Sequence, residues 1–378
     1  MINPLLNKNL KTRRQAGLYR TRDLIDSKSR ISFSSNDYLG LANHPEVIQA
    51  CKSGLEKYGV GSGASQLLGG YGFVHHSLEE ELAAFLGYEQ VLLFSTGYMA
   101  NLAILTTLFN KHSYIFIDRL NHASIIDGCC YSKSNFKRYK HCDNKDLEKL
   151  IRQANSKDNV VVSEGVFSMD GDIAPLTKLA DIAKKNNSWL MLDDAHGIGV
   201  LGTNGKGSME YCGLQAREIQ ILVGTFGKAF GTFGAFVASS KLVIENLIQF
   251  ARTYIYTTAL PAAVVEATRA SLNLLQKENW RREYLNKLIK RFKKGAEQLN
   301  LSLLSSDTPI QPLIIGDAKH AQNIALQLKQ MWILVGMVRP PTVPINTSRL
   351  RISLTANHAE KDIDYLLDAL SEGFASAK

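Results

Sequence analysis

Ile221-Leu222-Val223-Gly224-Thr225-Phe226-Gly227-Lys228 reads as a buried strand that ends in a polar turn presenting a single lysine. A lone lysine after a strand is ordinarily a solvated surface residue. Three features of the surrounding chain argue otherwise. Thr225, Gly227 and Gly231 make a small, hydroxyl-bearing turn whose backbone N–H groups can hold a phosphate. Upstream, a second apolar run from Trp189 to Leu192 delivers Asp193-Asp194-Ala195-His196 to its carboxyl end. Ligands of open α/β sheets bind outside the carboxyl ends of the strands, so the acidic cluster and the lysine are predicted to face one crevice.

Outward from this stretch the chain alternates strand and helix. Apolar runs predict strands at 91–94, 114–118, 160–164, 189–193, 219–224 and 234–239, with helical segments near 143–154 and 175–187. That rhythm implies a mostly parallel sheet in a large domain, covered on both faces. Pro45 opens a helix that runs to about Tyr58, and the capping box Ser77-x-x-Glu80 predicts a helix over 77–87. Ser95-Thr96-Gly97-Tyr98 turns the strand at 91–94 into a helix from about Met99 to Phe109, and small hydroxyl residues with glycine there suit a phosphate. Strands near 310–315, 333–338 and 349–354 and an amphipathic helix at 360–374 predict a smaller C-terminal α+β domain. The expected division is an N-terminal arm over 1–44, a large domain over 45–260 and a small domain over 261–378.

Composition narrows the function. Hydrophobic content of 45% and charged content of 21% are ordinary for a globular protein. No stretch approaches the roughly 18 apolar residues of a membrane span, and Met1 to Arg22 lacks the apolar centre of a secretory signal. Five cysteines without a C-x-x-C pair imply reduced thiols and a cytoplasmic location. No histidine spacing resembles a metal site, so no metal is expected. The net charge of +9 comes without a nucleic-acid-binding signature, which argues against a nucleic-acid partner and leaves a scattered basic surface or attraction of an anionic substrate carrier.

Two phosphate motifs fail on inspection. Gly197-Ile198-Gly199-Val200-Leu201-Gly202 fits the dinucleotide pattern, but turn residues follow where a helix must open. Gly205-Lys206 has Val200 in place of the first Walker glycine. A lysine, a carboxylate and an imidazole around a phosphate cradle is instead the set that pyridoxal 5′-phosphate (PLP) uses. Asp193-Asp194-Ala195-His196-Gly197 and Thr225-Phe226-Gly227-Lys228 resemble the α-oxoamine synthases, a branch of the fold-type I PLP enzymes, and the resemblance runs from about Arg20 to about Leu370.

The resemblance implies a role for each matching residue. Lys228 matches the Schiff-base lysine, nucleophile and then general base. Asp193 matches the partner of the pyridine nitrogen, which makes the ring an electron sink, although Asp194 beside it offers a second carboxylate. His196, with Ser168, matches the donors to the ring's 3-hydroxyl oxygen. His122 matches the histidine that stacks on the ring. Thr96, Gly97, Tyr98 and Thr225 match the phosphate cradle. Segments at Gly61–Ser65 and Tyr256–Thr258 resemble those that reach a neighbouring subunit, implying a homodimer with shared sites. Arg339-Pro340-Pro341-Thr342-Val343-Pro344 and Ser348-Arg349-Leu350-Arg351 are similar to the biotin-pathway branch of the family, which implies acyl transfer from a pimeloyl thioester, carried by coenzyme A or an acyl-carrier protein, to L-alanine. Arg351 matches the amino-acid end, Arg20, Arg339 and Thr342 the acyl end, and Asn36 a substrate contact. A sister enzyme joining glycine to another thioester, and a nicotinamide-dependent oxidoreductase built on Gly197–Gly202, are the rival readings.

Overall fold

The computed structural model describes residues 2–15, 18–22, 24, 30–154 and 158–375. Eleven strands occur in chain order: β1 Ile31–Phe33, β2 Gln90–Phe94, β3 Tyr114–Asp118, β4 Asn135–Tyr139, β5 Asn159–Glu164, β6 Trp189–Asp193, β7 Ile221–Thr225, β8 Ala235–Ser239, β9 Ile310–Gly316, β10 Ile333–Val338 and β11 Ser348–Ser353. They form a seven-stranded sheet of order β2-β8-β7-β6-β5-β3-β4 and a four-stranded sheet of order β1-β10-β11-β9.

The chain divides into two compact units. One comprises residues 37–168 and 172–283, the other residues up to 36, 169–171 and 284 onward. These limits fall away from the sequence limits of 44 and 260. The helix Ala262–Lys277 packs on Pro45–Tyr58, with Gly54 set directly against Ala263, and so joins the larger unit. β1, in the expected arm, pairs in parallel with β10 and so joins the smaller one.

Within the larger unit β4, β3, β5, β6 and β7 run parallel, and β8 pairs antiparallel with both β7 and β2. The reversal at β8 follows from the short Phe226–Gly234 connection, which leaves no room for a crossover helix. Every residue of β5 is buried, as are the last four of β3 and β6, so these strands are covered on both faces. Ile104, Ile117, Val162, Met191, Val223 and Val237 belong to one continuous apolar core there.

Three local differences from the sequence reading have physical causes. The helix predicted over 77–87 spans Phe73–Leu86, because His75 accepts the Gly72 N–H at 3.2 Å and caps the helix one turn before Ser77. β4, Asn-Phe-Lys-Arg-Tyr, has no apolar run, and as an edge strand it tolerates Lys137 and Arg138 facing outward. Part of the expected N-terminal arm is helical, at Ile2–Gln15, because its residues, all exposed, include no helix breaker after Pro4; residues 16 and 17 lie outside the described residues.

Within the smaller unit β11 pairs antiparallel with β10 and β9. Helices Ala318–Gln330 and Glu360–Ala375 accompany this sheet, the latter where the apolar spacing at 360–374 predicts it. Among the described residues no helix is long and apolar enough to cross a membrane.

Candidate active site

Three neighbouring parallel strands of the larger unit end at one edge of the sheet. β5 ends in Glu164, β6 in Asp193, and β7 in Thr225, with Lys228 in the turn beyond. Glu164 and Asp193 are register partners, as are Asp193 and Val223. A cavity of about 210 Å³ lies there, lined by Gly97, Tyr98, Asn101, His122, Ser124, Glu164, Asp193, Ala195, His196, Val223, Thr225 and Lys228. The lysine turn is tight: Thr225 Oγ1 accepts the Gly227 N–H at 3.1 Å, and the Gly231 N–H bonds the Lys228 carbonyl at 2.8 Å. Gly231 has φ +65°, and a Cβ there would lie 2.3 Å from the backbone nitrogen of Ala42, so only glycine fits.

The two adjacent aspartates separate by face. Asp193 lines the cavity, with Oδ2 accepting from Asn101 Nδ2 at 2.7 Å and Oδ1 from the Ala195 N–H at 3.2 Å. Asp194 points away, fully buried, accepting from Ser208 Oγ at 2.6 Å and from the Ser208 N–H at 2.7 Å. Gly165, Gly197 and Gly207 enclose it so closely that a Cβ on any of them would lie 2.0–2.1 Å from its oxygens. Burial pushes the Asp194 carboxyl up to about 7, against the pull of the Ser208 hydrogen bonds.

The remaining walls come from helix starts and loops. Thr96 caps the helix Gly97–Thr107 by accepting the Met99 N–H at 3.2 Å, so Gly97 and Tyr98 sit where helical N–H groups lack intrahelical partners. The Tyr98 hydroxyl itself bonds Asp127. His122 caps the helix Ala123–Tyr131, its Nδ1 within 2.8 Å of Ser124 Oγ. His196 Nδ1 lies 2.7 Å from the Tyr38 hydroxyl. Thr96 and Ser168 flank the cavity in sequence but are not among its lining residues.

Within the smaller unit, Arg351 Nη1 donates to Asn36 Oδ1 at 3.1 Å and to Ser353 Oγ at 2.8 Å. Two residues back on β11, Arg349 pairs with Asp170. Arg339 donates to the Tyr19 carbonyl, beside the exposed Arg20, and the Thr342 N–H bonds the Arg339 carbonyl at 3.1 Å. Arg351, expected at the amino-acid end, thus meets Asn36, expected to touch substrate, and the residues expected at the acyl end lie in two adjoining segments.

Comparison with known proteins places this architecture. Residues 28–370 match the family of class I and II aminotransferases. The chain is 50% identical over 379 residues to 8-amino-7-oxononanoate synthase of Saccharophagus degradans, covering 97% of this chain and 96% of the relative. It is 52% identical over 349 residues to the enzyme of the same name from Cellvibrio japonicus, covering 92% and 88%. The chain belongs to the 8-amino-7-oxononanoate synthase branch of the class I and II aminotransferase family. Among solved structures it resembles the Sphingomonas wittichii serine palmitoyltransferase, with a TM-score of 0.92 at 31% identity, covering 100% of this chain and 98% of that one. It also resembles the Francisella tularensis 8-amino-7-oxononanoate synthase, with a TM-score of 0.81 at 36% identity, covering 93% and 99%. Backbone similarity favours the first and identity the second. Identity decides the branch, because the fold is common to both enzymes.

Members of this family are fold-type I, PLP-dependent, acyl-transferring enzymes, and so is this chain. The cavity fits that cofactor by its donor set: a helix N-terminus for a phosphate, an amine for an aldehyde, a buried carboxylate for a ring nitrogen and two imidazoles among its lining side chains. Two buried polar atoms of its wall, Asn101 Oδ1 and Glu164 Oε1, have no hydrogen-bond partner among the described residues, which suits a site that takes a polar ligand.

The motifs did not reveal Tyr38, Asn101 and Glu164. Tyr38 lies in the Ser34–Gly40 loop, whose density of hydrogen-bonding groups marks it without naming a partner. Glu164 ends a predicted strand and could be found by applying the strand-end rule there too. Asn101 sits one turn beyond Gly97, with no signal of its own.

Proposed function

We propose that this enzyme condenses L-alanine with a pimeloyl thioester, forming 8-amino-7-oxononanoate, the free thiol and carbon dioxide as a step of biotin biosynthesis. The observation that carries the reading is the convergence of Lys228, Asp193, His196 and His122 on one strand-end cavity in a chain half identical to enzymes of that name. When bound, the cofactor supplies an electron sink for negative charge at the amino acid's α-carbon.

The chain's own groups do the rest. Gly97 and Tyr98, with Thr96 and Thr225, hold the phosphate at the helix N-terminus. Asp193 would keep the ring nitrogen protonated, His196 and Ser168 would donate to the 3-hydroxyl oxygen, and His122 would pack on the ring. Lys228 Nζ first holds the cofactor and then, as a free amine, takes the α-proton of alanine. Arg351, aided by Asn36, fixes the alanine carboxylate through a planar fork, and that orientation decides which bond to the α-carbon breaks. Arg20, Arg339 and Thr342 serve the acyl partner. The working form is a cytoplasmic homodimer with shared sites. Exposed apolar side chains around the glycine-rich loops, Val60, Leu68, Phe73 and Tyr256, support a subunit contact there.

A sister activity, glycine or serine joined to another acyl thioester, is the second reading, favoured by the close backbone match to a serine palmitoyltransferase. The deciding experiment is a mass-spectrometric product assay of alanine, glycine and serine against pimeloyl, acetyl, succinyl and palmitoyl thioesters on coenzyme A and on carrier protein. Alanine with pimeloyl thioester is expected to dominate. A dominant glycine or serine product would replace the named reaction while leaving the fold and cofactor untouched.

A further inference from the structure

We propose that Glu164 is an additional active-site residue: its carboxyl ties the His122 and Ser168 segments together, and its Oε1 hydrogen-bonds the group that occupies the cavity. This rests on reading the cavity as the PLP site. Glu164 is the last residue of β5 and the register partner of Asp193, so both side chains leave adjacent parallel strands at the same level and line the same cavity. It is 4% exposed. Its backbone N–H donates to Asn121 Oδ1 at 3.2 Å, and its carboxyl accepts from the backbone N–H groups of His122 and Ser168. One side chain therefore joins two segments that carry expected cofactor contacts and are far apart in the chain.

Oε1 is different. It is buried and has no hydrogen-bond partner among the described residues, although Lys228 and Asp193 both line the same cavity. A buried carboxyl oxygen left unpaired is unfavourable, and a ligand's polar group would recover that cost. The group's state selects the kind of partner. Burial first, and then the Asp193 charge, push Glu164 up to about 8, while Lys228 pulls the other way. Near neutral pH the carboxyl carries its proton, and the oxygen free of backbone donors is where that proton serves as a donor. The fitting partner is an acceptor oxygen on the cofactor or on the amino acid joined to it. Above about pH 8 the proton leaves, and two carboxylates then lie side by side at the ends of adjacent strands.

The test measures PLP dissociation by equilibrium dialysis, together with the visible absorption band, from pH 6 to 10. It compares wild type, Glu164→Gln and Glu164→Ala, with and without alanine. Glu164→Gln keeps an acceptor for the two backbone groups and a donor for the ligand. It should hold PLP within about threefold of wild type at pH 7 and lose the weakening that wild type shows between pH 7 and 9. Glu164→Ala should bind PLP about tenfold more weakly at pH 7. An effect visible without alanine assigns the acceptor oxygen to the cofactor, and one visible only with alanine assigns it to the amino acid. A Gln variant with the wild-type pH dependence, in both conditions, overturns the proposal, even if the Ala variant does not fold. Failure of wild type to take up PLP would overturn the cofactor reading instead.

Discussion

The side-chain amide of Asn101 donates to Asp193 Oδ2 at 2.7 Å and lies 2.9 Å from Ser124 Oγ. One nitrogen thus bridges the acid at the end of β6 and the first turn of the helix capped by His122. Asn101 is buried, so its loss would leave the Asp193 carboxylate short of a donor in a site with little water. Asn101→Ala is expected to lower unfolding stability by about 1–3 kcal/mol in urea titrations. PLP affinity should weaken with it. An unchanged midpoint would mean the amide contributes nothing net.

The split between Asp193 and Asp194 makes a paired prediction. Asp193→Asn should fold normally, yet lose at least about a hundredfold in turnover, because it removes charge where the reaction needs it. Asp194→Asn should act mainly on stability. Its new NH2 group either meets the Ser208 N–H, donor against donor, or reverses the hydrogen bond from Ser208 Oγ, and in both cases it replaces an oxygen inside a cage of three glycines. A drop of about 1–3 kcal/mol by calorimetry, with turnover less affected than in Asp193→Asn, is expected. If the two variants exchange phenotypes, the catalytic role belongs one residue along.

His141 makes a pH prediction. It bridges Asp118 Oδ1 at 3.0 Å and Asp172 Oδ2 at 2.8 Å. Burial opposes its charge, but the hydrogen bonds to Asp118 and Asp172 outweigh that and push it up to about 12. With the folded value raised above the ordinary histidine value, this stabilisation is complete below about pH 6.5 and is lost progressively as pH rises toward the folded value. The melting temperature should therefore fall from pH 7 to pH 10, and fall less steeply in His141→Gln. Parallel curves for the two proteins would rule the linkage out.

Arg351 bears on substrate choice. Its guanidinium reaches Asn36 and Ser353 at once, which a lysine ammonium cannot do with a planar carboxylate still to hold. Arg351→Lys is expected to raise the Michaelis constant for alanine by about 5- to 150-fold, the equivalent of about 1–3 kcal/mol. The constant for the pimeloyl thioester should barely move. A change confined to the thioester would transfer Arg351 to the acyl end.

How far the sequence reached can be argued from particular residues. Asp193 and Lys228 were legible because each follows an uninterrupted apolar run, and a buried parallel strand has one informative place for a polar residue, its carboxyl end. The same logic located Gly97 and Tyr98 after β2, and the alternation of runs foretold a mostly parallel sheet. β4 was hidden because an edge strand needs no apolar signature, and the early start of the helix at Phe73 because histidine is not read as a capping residue.

By itself, then, the sequence determined the strand order's raw material, the chemistry at the strand ends and the family. Local patterning records what each residue's immediate neighbours demand of it. The tertiary structure decided the relations between distant residues. It put Asn101 on Asp193, Tyr38 on His196 and Glu164 level with Asp193, pairings separated by 92, 158 and 29 positions (193 minus 164). It also decided which of two consecutive aspartates meets the cavity. Asp193 and Asp194 carry the same chemistry, but consecutive side chains at a strand end point to opposite faces, and only packing sets which face holds the cavity and which the buried Ser208.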